Sequence, residues 1–288
     1  MITVTGAAGK TGRAVIRALA QRGQPVRALV RRATQQQAVR AEGATETVVG
    51  DMADPSALRQ AVEGATALYH ICPNVHPDEV AIGRAAIDAA REAKLAHVVY
   101  HSVLHPQAGA MPHHWHKLRV EEMLVAAGIP FTILQPAAYM QNLLPHWRQI
   151  STDGVLTNPY PPEAQLSLVD LEDVAEAAAV VLTQPGHTGA IYELCGTGPK
   201  SQHEVAGILA NVLGLPVRAE MTPVAEWERT AVAAGLNAYA VQTLMQMFVY
   251  YAEHGLVGNP NVLRWLLGRQ PTTLTDFARR AMSRMEKT

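Results

Sequence analysis

The stretch Ile2-Thr3-Val4-Thr5-Gly6-Ala7-Ala8-Gly9-Lys10-Thr11-Gly12 opens the chain and decides its fold. An apolar run, three glycines spaced three residues apart and a helical pattern follow one another, which predicts a strand, a tight turn and a helix. In such a turn the first glycine permits the bend, the second lets the backbone approach a pyrophosphate, and the third lets the helix pack on the strand. Because a helix N-terminus also attracts anions, the stretch predicts a dinucleotide site. A turn that serves packing alone is the other interpretation.

Outward from this stretch, short apolar runs alternate with amphipathic helical patterns, which is typical of a parallel sheet with helices on both faces. The predicted strands are 2–5, 26–30, 46–49, 67–71, 97–101, 131–135 and 190–194. The predicted helices are 11–21, 35–42, one that begins at 54–55, 171–182, 201–213, 224–234, 238–254, 262–267 and 275–285. The pattern after residue 221 is almost wholly helical.

These elements predict an α/β fold, a doubly wound parallel Rossmann sheet with a smaller, mainly helical C-terminal cap for the substrate. The predicted NAD(P)-binding domain is 1–150, with 166–195 returning to it. The predicted cap consists of 151–165 and 196–288. Because no linker composition separates the two, we expect the cap to be assembled from the last third of the chain.

Two arginines follow the second predicted strand, where the choice between NAD and NADP is usually made. An NAD-preferring protein places Asp or Glu there for the ribose 2′-hydroxyl, whereas Arg31 and Arg32 suit a 2′-phosphate. NADP(H) is therefore the preferred cofactor and NAD(H) the second choice, with two solvated arginines as the alternative interpretation. After the third strand, Asp51 can accept from the adenine amino group and Met52 can pack on the ring, unless this is simply an exposed turn.

The turn after the fourth predicted strand belongs to the same edge, because ligands bind beyond the carboxyl ends of parallel strands. Core packing alone would also account for Ile71 and Cys72. The residues that these patterns predict to contact the cofactor are Gly6, Ala8, Gly9, Lys10, Thr11, Gly12, Arg31, Asp51, Met52, Ile71, Cys72 and Pro73.

Composition excludes several classes of protein. The 288 residues include 24 Lys and Arg against 25 Asp and Glu, a formal net charge of −1, which argues against nucleic-acid binding. Two cysteines without CxxC spacing indicate a reducing compartment, and the first residues lack a secretory pattern. Three prolines interrupt the long uncharged segment 123–147, so it predicts no membrane span. We therefore expect a cytoplasmic protein.

Histidine is the residue type that stands out, with 12 in the chain. Six of them fall within 97–116: His97, His101, His105, His113, His114 and His116. Helical spacing could make metal ligands of them, but His101 ends a predicted strand and His105 begins a loop. We predict no metal site. Instead, we expect a nicotinamide to be flanked by His101, His105, His113, His114 and Trp115, with His97 and His116 structural.

Several motifs together resemble the NmrA-like family of atypical short-chain dehydrogenases. Besides the glycine-rich stretch, they are Ala28-Leu29-Val30-Arg31, Gly50-Asp51, Val99-Tyr100-His101-Ser102, Lys117 with Glu121 and Glu122, Thr132-Ile133-Leu134-Gln135-Pro136, Tyr139-Met140-Gln141-Asn142, and Val169-Asp170 to Asp173-Val174-Ala175. The resemblance covers about residues 1–215. It implies NAD(P) binding and adds Lys117 and Pro136 to the cofactor contacts.

The resemblance also implies a candidate catalytic set. The usual short-chain dehydrogenase has a Ser, followed by a Tyr and a Lys four residues apart; the Tyr protonates a carbonyl oxygen and the Lys holds the ribose. Ser102 and Lys117 match this pattern, but His113 stands where the Tyr would be. Proton delivery is predicted from His113, because an ordinary imidazole titrates near neutral pH, or from Tyr139.

The missing Tyr favours an acceptor that needs little proton assistance. Quinones and cationic dyes accept hydride directly, so the predicted function is NAD(P)H-dependent reduction of a quinone or another conjugated aromatic acceptor. Two alternatives stay open: a redox-sensing regulator that binds the cofactor without catalysis, and a tailoring enzyme or redox-neutral isomerase acting on an aromatic polyketide. The expected partner is a small aromatic molecule, and the protein is expected to be a monomer or homodimer.

Overall fold

The computed structural model describes residues 1–285, and the predicted alternation of strands and helices is present in it. The strands are β1 (Ile2–Val4), β2 (Val26–Val30), β3 (Glu46–Val49), β4 (Ala67–His70), β5 (His97–His101), β6 (Phe131–Pro136), β7 (Ala138–Tyr139), β8 (Val155–Asn158), β9 (Leu168–Val169), β10 (Ala190–Leu194) and β11 (Arg218–Met221). The α-helices are α1 (Lys10–Gln21), α2 (Gln36–Ala41), α3 (Pro55–Val62), α4 (Glu79–Glu92), α5 (Pro112–Ala126), α6 (Trp147–Asp153), α7 (Leu171–Thr183), α8 (Gln202–Leu213), α9 (Val224–Ala233), α10 (Ala238–His254), α11 (Asn261–Leu267) and α12 (Leu274–Met285). None of these described helices combines the length and apolar character needed to cross a bilayer.

The central sheet has seven strands in the order β10-β6-β5-β4-β1-β2-β3. Its ladders β3–β2, β2–β1, β1–β4, β4–β5 and β5–β6 are all parallel. The strand order reverses between β1 and β4, which is the position where doubly wound sheets bind ligands. The predicted fold class, an α/β Rossmann sheet, is confirmed.

Local sequence signals account for where several helices begin and end. Asp54 caps α3, because its Oδ1 atom accepts from the Ser56 amide at 2.9 Å, and Pro55 occupies the first helical position. α8 ends at Leu213, as predicted, and the next residue, Gly214, has φ +69°, in the left-handed region that glycine adopts without a steric penalty. Residues next to each boundary therefore determine where α3 begins and where α8 ends.

Two compact units divide the chain. The first comprises Met1–Gly109, His113–Gln135 and Val174–Tyr192, and the second comprises Ala110–Pro112, Pro136–Asp173 and Glu193–Thr288. The predicted first domain continued to residue 150, whereas this division falls after Gln135. The reason is that the chain leaves the large sheet after β6: Ala138 and Tyr139 pair with Leu168 and Val169 in a separate two-stranded sheet.

The second unit contains short elements that the sequence patterns did not predict. β7 pairs with β9, and β8 pairs with β11, in two small parallel sheets. Tyr139, which follows the predicted strand 131–135, therefore lies in a short strand of its own. A two-residue strand is too short for a periodic pattern, and β11 is mostly exposed and polar. The core of this unit includes the buried side chains of Trp147, Ile150, Leu209 and Phe277.

Candidate cofactor and catalytic site

The turn between β1 and α1 requires glycine at two positions. Gly6 has φ +58°, and a Cβ there would lie 2.8 Å from the carbonyl oxygen of Ile71. A Cβ on Gly12 would lie 2.4 Å from the carbonyl oxygen of Gly6 and 2.7 Å from the Cα atom of Ala7. The glycines therefore allow the end of β1, the start of α1 and the end of β4 to meet, as the predicted dinucleotide turn requires.

The N-terminus of α1 has no side-chain cap. Gly9 is the N-cap residue in an extended conformation, and the first turn contains no acidic residue. Ala8 is half-buried, Lys10 is exposed and Thr11 is buried. The first N–H groups of a helix have no intrahelical acceptor, and the helix dipole adds a partial positive charge there. The cradle therefore fits the diphosphate of a dinucleotide.

Arg31 and Arg32 lie after β2, and both are exposed. Arg27 on the same strand is paired with Glu46 at 2.8 Å. In contrast, Arg31 and Arg32 have no carboxylate partner within residues 1–285. An exposed guanidinium without a counter-charge fits the 2′-phosphate of NADP(H), to which it can donate charge-assisted hydrogen bonds.

The turn after β3 is stabilised by a hydrogen bond from within the turn. The Oδ1 atom of Asp51 accepts from the amide of Ala53 at 3.0 Å, so this carboxylate shapes the turn. Asp51 is exposed, and Met52 is half-buried and packs against the core of the first unit. Adenine contacts from these two residues stay a prediction.

The residues after β4 lie next to Gly6. The hydroxyl oxygen of Thr5 accepts from the amide of Ile71 at 3.0 Å, which joins the ends of β1 and β4. Cys72 is buried and Pro73 is exposed. Burial, followed by the charge of Glu79, raises the pKa of the Cys72 thiol, so this cysteine is not a nucleophile at neutral pH.

Ser102, one of the two retained short-chain dehydrogenase residues, lies just after β5. Its hydroxyl donates to the carboxylate of Glu121 on α5. The Nε2 atom of Gln135 donates to both oxygens of that carboxylate, at 2.9 and 3.0 Å. All three side chains are buried, and burial raises the pKa of Glu121. The hydroxyl proton of Ser102 is therefore directed into the protein.

Lys117, the second retained residue, lies on α5 and is buried. Its ammonium group is 2.6 Å from the Oε1 atom of Glu79, the first residue of α4. The hydroxyl of Tyr100 donates to the same oxygen at 3.0 Å. The ammonium also lies 5.7 Å from the centre of the Tyr100 ring, within the range of a cation–π contact.

His113 is on the first turn of α5, where the sequence predicts a proton donor. The residue is 5% exposed, and its Nδ1 atom has no hydrogen-bond partner within the described residues. Burial, and then the charges of His114 and Lys117, lower the pKa of His113 to about 3. This pKa lies well below that of an ordinary imidazole, and proton delivery by His113 stays a prediction. At pH 7 the ring is uncharged, since desolvation disfavours the imidazolium.

Three more histidines of the first unit are buried and uncharged at neutral pH. Their Nδ1 atoms lie 2.9 Å from the Thr5 hydroxyl in His70, 2.5 Å from the Tyr69 hydroxyl in His101, and 3.1 Å from the His105 carbonyl oxygen in His114. Burial is the main cause that lowers the pKa of His70 and His101 to about 3 and that of His114 to about 4.

The rest of the histidine-rich segment shows no metal centre. Within residues 1–285, no three His, Cys, Asp or Glu side chains are grouped to hold a metal ion. The Nε2 atom of His97 lies 2.9 Å from the Thr132 hydroxyl, in keeping with a structural role. His116 is half-buried, whereas Trp115 is 43% exposed.

The last two predicted residues belong to the second unit. Pro136 is buried at the end of β6, and Tyr139 is half-buried in β7. Close by in the chain, Gln141 donates to the Oδ1 atom of the buried Asp170 at 2.7 Å. Asp170 also accepts from Arg280. The buried Asp170 therefore links the segment after β7 to α12 through hydrogen bonds.

Sequence reasoning assigned no role to Glu79, Glu121 or Gln135. Glu121 lies four residues after Lys117, on the same face of α5, and was noted only as part of a motif. Glu79 is 38 residues away from Lys117 in the chain. No local pattern connects them.

The fold, the glycine turn, Ser102 and Lys117 together define an NAD(P)-binding protein of the short-chain dehydrogenase class. The sequence profile of the NmrA-like family matches residues 1–280. The chain belongs to the NmrA-like family, and the resemblance seen in its motifs is confirmed.

Similar proteins of known function span nearly the whole chain. The NAD(P)H azoreductase of Xenophilus azovorans is 29% identical over 284 residues, 97% of each chain. Quinone oxidoreductase 2 of Escherichia coli K12 is 28% identical over 278 residues, 96% of each chain. The structure of the NADPH-dependent quinone oxidoreductase QOR2 from E. coli in complex with NADPH has a TM-score of 0.85 at 27% identity, covering 98% of this chain and 100% of that one. The Citrobacter triphenylmethane reductase with NADP(H) has the same TM-score at 26% identity, with coverage of 98% and 100%.

Proposed function

We propose that this protein transfers hydride from NADPH to a quinone or another conjugated aromatic acceptor. The observation that carries the proposal is that neither polar side chain offers an acidic proton to the acceptor: the Ser102 hydroxyl donates its hydrogen bond to Glu121, and His113 is uncharged. Ordinary carbonyl reduction needs a positioned acid in the transition state. Quinones and cationic dyes need less proton assistance. Similar proteins bear the names azoreductase, quinone oxidoreductase and triphenylmethane reductase.

The chain is an NAD(P)H-dependent oxidoreductase of the NmrA-like type. Its cofactor is NADP(H), with NAD(H) as the second choice. The glycine turn would hold the diphosphate, Arg31 the 2′-phosphate and Lys117 the nicotinamide ribose. When bound, the reduced nicotinamide supplies the hydride. The chain's own contribution is to hold donor and acceptor in a reactive orientation.

For acceptors that also take up a proton, we propose Tyr139 as the donor. Its phenol is half-buried and carries an O–H group that can be donated to an acceptor. A quinone needs one proton besides the hydride to become a hydroquinone. A cationic dye becomes neutral when it accepts hydride alone, so it needs no such donor.

The proposal is tested with purified protein, NADPH or NADH, and a panel of a benzoquinone, a naphthoquinone, an azo dye and a triphenylmethane dye. Loss of nicotinamide absorbance and dye bleaching report turnover, and binding of NADPH is measured separately by fluorescence. We expect NADPH oxidation with at least one quinone, and its loss in Gly12→Ala. Tight NADPH binding without oxidation by any acceptor would favour the redox-sensing regulator instead. Absence of NADPH binding would contradict both functions.

A further inference from the structure

We propose that Glu79 is a positioning residue that orients the Lys117 ammonium toward the nicotinamide ribose and thereby sets the affinity for the cofactor. The inference deepens the proposed function and rests on it. Glu79 is the first residue of α4, and it belongs to none of the motifs that the sequence displays.

The geometry around Lys117 leaves its ammonium little freedom. The Lys117 and Glu79 side chains are 8% and 1% exposed, and 2.6 Å separates Nζ from Oε1. The Tyr100 hydroxyl donates to the same Oε1 atom, so it fixes the carboxylate from a second side. A flexible lysine side chain that would otherwise sample many rotamers is therefore held in one orientation by a buried counter-charge.

The other oxygen of Glu79 lacks a hydrogen-bond donor in the described chain. Oε2 is buried and has no hydrogen-bond partner within the described residues. Buried polar atoms in native proteins nearly always have a partner, so this oxygen requires a donor. An ammonium has three N–H donors, and the bond to Oε1 uses one of them. A ribose hydroxyl can accept from the ammonium and donate to the carboxylate at the same time.

The surroundings contain little charge besides Glu79. The groups whose charges interact with Lys117 are His70, Cys72, His101, His113, His114 and Glu121. The four histidines are uncharged at neutral pH, and the carboxylate of Glu121 is engaged by Ser102 and Gln135. Glu79 is thus the carboxylate in direct contact with the ammonium.

A purely structural ion pair is the competing explanation, and it makes a different prediction. If Glu79 acts on the cofactor through Lys117, its removal weakens NADPH binding only while Lys117 is present. If Glu79 merely supports the fold, its removal weakens binding by the same factor with or without Lys117. A double-mutant cycle separates the two cases.

The experiment measures the Kd for NADPH by fluorescence in the wild type, Glu79→Gln, Glu79→Asp, Lys117→Met and the double variant Glu79→Gln/Lys117→Met. The double variant removes both charges and so leaves none uncompensated in the interior. Unfolding midpoints are recorded for each protein. We expect Glu79→Gln to weaken binding about tenfold, the effect of losing one charge-assisted hydrogen bond, and Glu79→Asp to recover part of it. In the Lys117→Met background, Glu79→Gln should change the Kd less than about twofold.

Three results would overturn the inference while leaving the proposed function intact. One is wild-type affinity in Glu79→Gln, and another is an equal loss in both backgrounds. The third applies if Lys117→Met does not fold: it is the finding that Glu79→Gln and Glu79→Asp bind NADPH with equal affinity. Failure of the wild type to bind NADPH would instead contradict the proposed function itself.

Discussion

The hydroxyl of Ser102 donates its hydrogen bond to the carboxylate of Glu121, and both side chains are buried. A serine hydroxyl without such an acceptor could instead donate to a substrate carbonyl. Here Gln135 donates to both oxygens of Glu121, which keeps that carboxylate an acceptor for the serine. The retained Ser102 therefore presents lone pairs to a ligand and not its proton.

This relationship predicts a mild effect of Ser102→Ala on quinone reduction. Because the hydroxyl does not polarise the acceptor, we expect kcat/KM to fall less than about threefold, whereas loss of a donor to the reacting oxygen costs about a hundredfold or more. The variant should lose about 1.5–3 kcal/mol of unfolding free energy, the contribution of one hydrogen bond to a charged group. Steady-state kinetics and urea unfolding check both values. A hundredfold loss of kcat/KM would show instead that the Ser102 hydroxyl donates to the acceptor.

Gly12→Ala should damage both stability and cofactor binding. The added Cβ would lie 2.4 Å from the Gly6 carbonyl oxygen, and because its neighbours are backbone atoms, α1 must move away from β1. We expect a loss of about 1–3 kcal/mol of unfolding free energy, typical of overpacking, together with weaker NADPH binding.

The matched control is Gly207→Ala, in the interior of α8. A Cβ there meets no atom within 4 Å. This variant should gain about 0.5–1 kcal/mol, because alanine is the better helix former. Unfolding in urea and NADPH fluorescence measure both variants. Equal behaviour of the two glycine variants would contradict the steric interpretation of the turn.

Arg31→Asp should reverse the cofactor preference. The arginine is exposed and has no carboxylate partner in the described chain, so its charge is available to a 2′-phosphate. We expect the NADPH-to-NADH ratio of kcat/KM to fall about tenfold or more, since hydrogen bonds to charged groups contribute about 1.5–3 kcal/mol. Arg22→Asp, at the opposite end of α1, makes the same charge change and should leave the ratio unaltered. The same shift in both variants would mean that only net charge matters.

Tyr139→Phe should separate the two kinds of acceptor. Quinone reduction consumes a proton, so kcat with a quinone should fall about a hundredfold, a typical effect of losing a general acid. Reduction of a cationic triphenylmethane dye needs hydride alone and should change little. Both acceptors are assayed with the same preparation of Tyr139→Phe, so that each activity serves as the control for the other. A loss shared equally by both would assign Tyr139 to acceptor binding.

The buried histidines predict that the unfolding free energy decreases steeply as the pH becomes acidic. The pKa of His113 is about 3 in the folded protein and about 6.5 in an unfolded chain. The unfolded state therefore binds the extra proton between these values, so the stabilisation is complete above pH 6.5 and is lost as the pH falls toward 3. Each such histidine contributes a slope of about 1.4 kcal/mol per pH unit.

His113→Gln should reduce this slope by the amount due to one proton. Unfolding free energies from urea titrations between about pH 4.5 and 7 give the slope directly. His146→Gln changes an exposed histidine and serves as the control. An unchanged slope in His113→Gln would show that the ring is already protonated in the folded protein.

Much of the fold could be predicted because its signals are local. The glycine spacing at 6–12, the Asp54-Pro55 helix start and the Gly214 helix end act through neighbouring residues, and the structure bears each of them out. The parallel sheet followed from strands whose buried residues form continuous apolar runs. The pairs β7–β9 and β8–β11 were not predictable, since such short strands exist only through a partner that is distant in the chain.

The sequence by itself determined that this chain builds a dinucleotide turn, ends its second strand with arginines and lacks the usual tyrosine. Only the tertiary structure decided how the retained residues are used. Ser102 meets Glu121 from 19 residues away, and Lys117 meets Glu79 from 38 residues away. Burial, which no single segment encodes, keeps His113 uncharged. Short-range conformational preferences can be read along the chain, whereas a proton's position depends on contacts and desolvation that arise only when distant segments pack together.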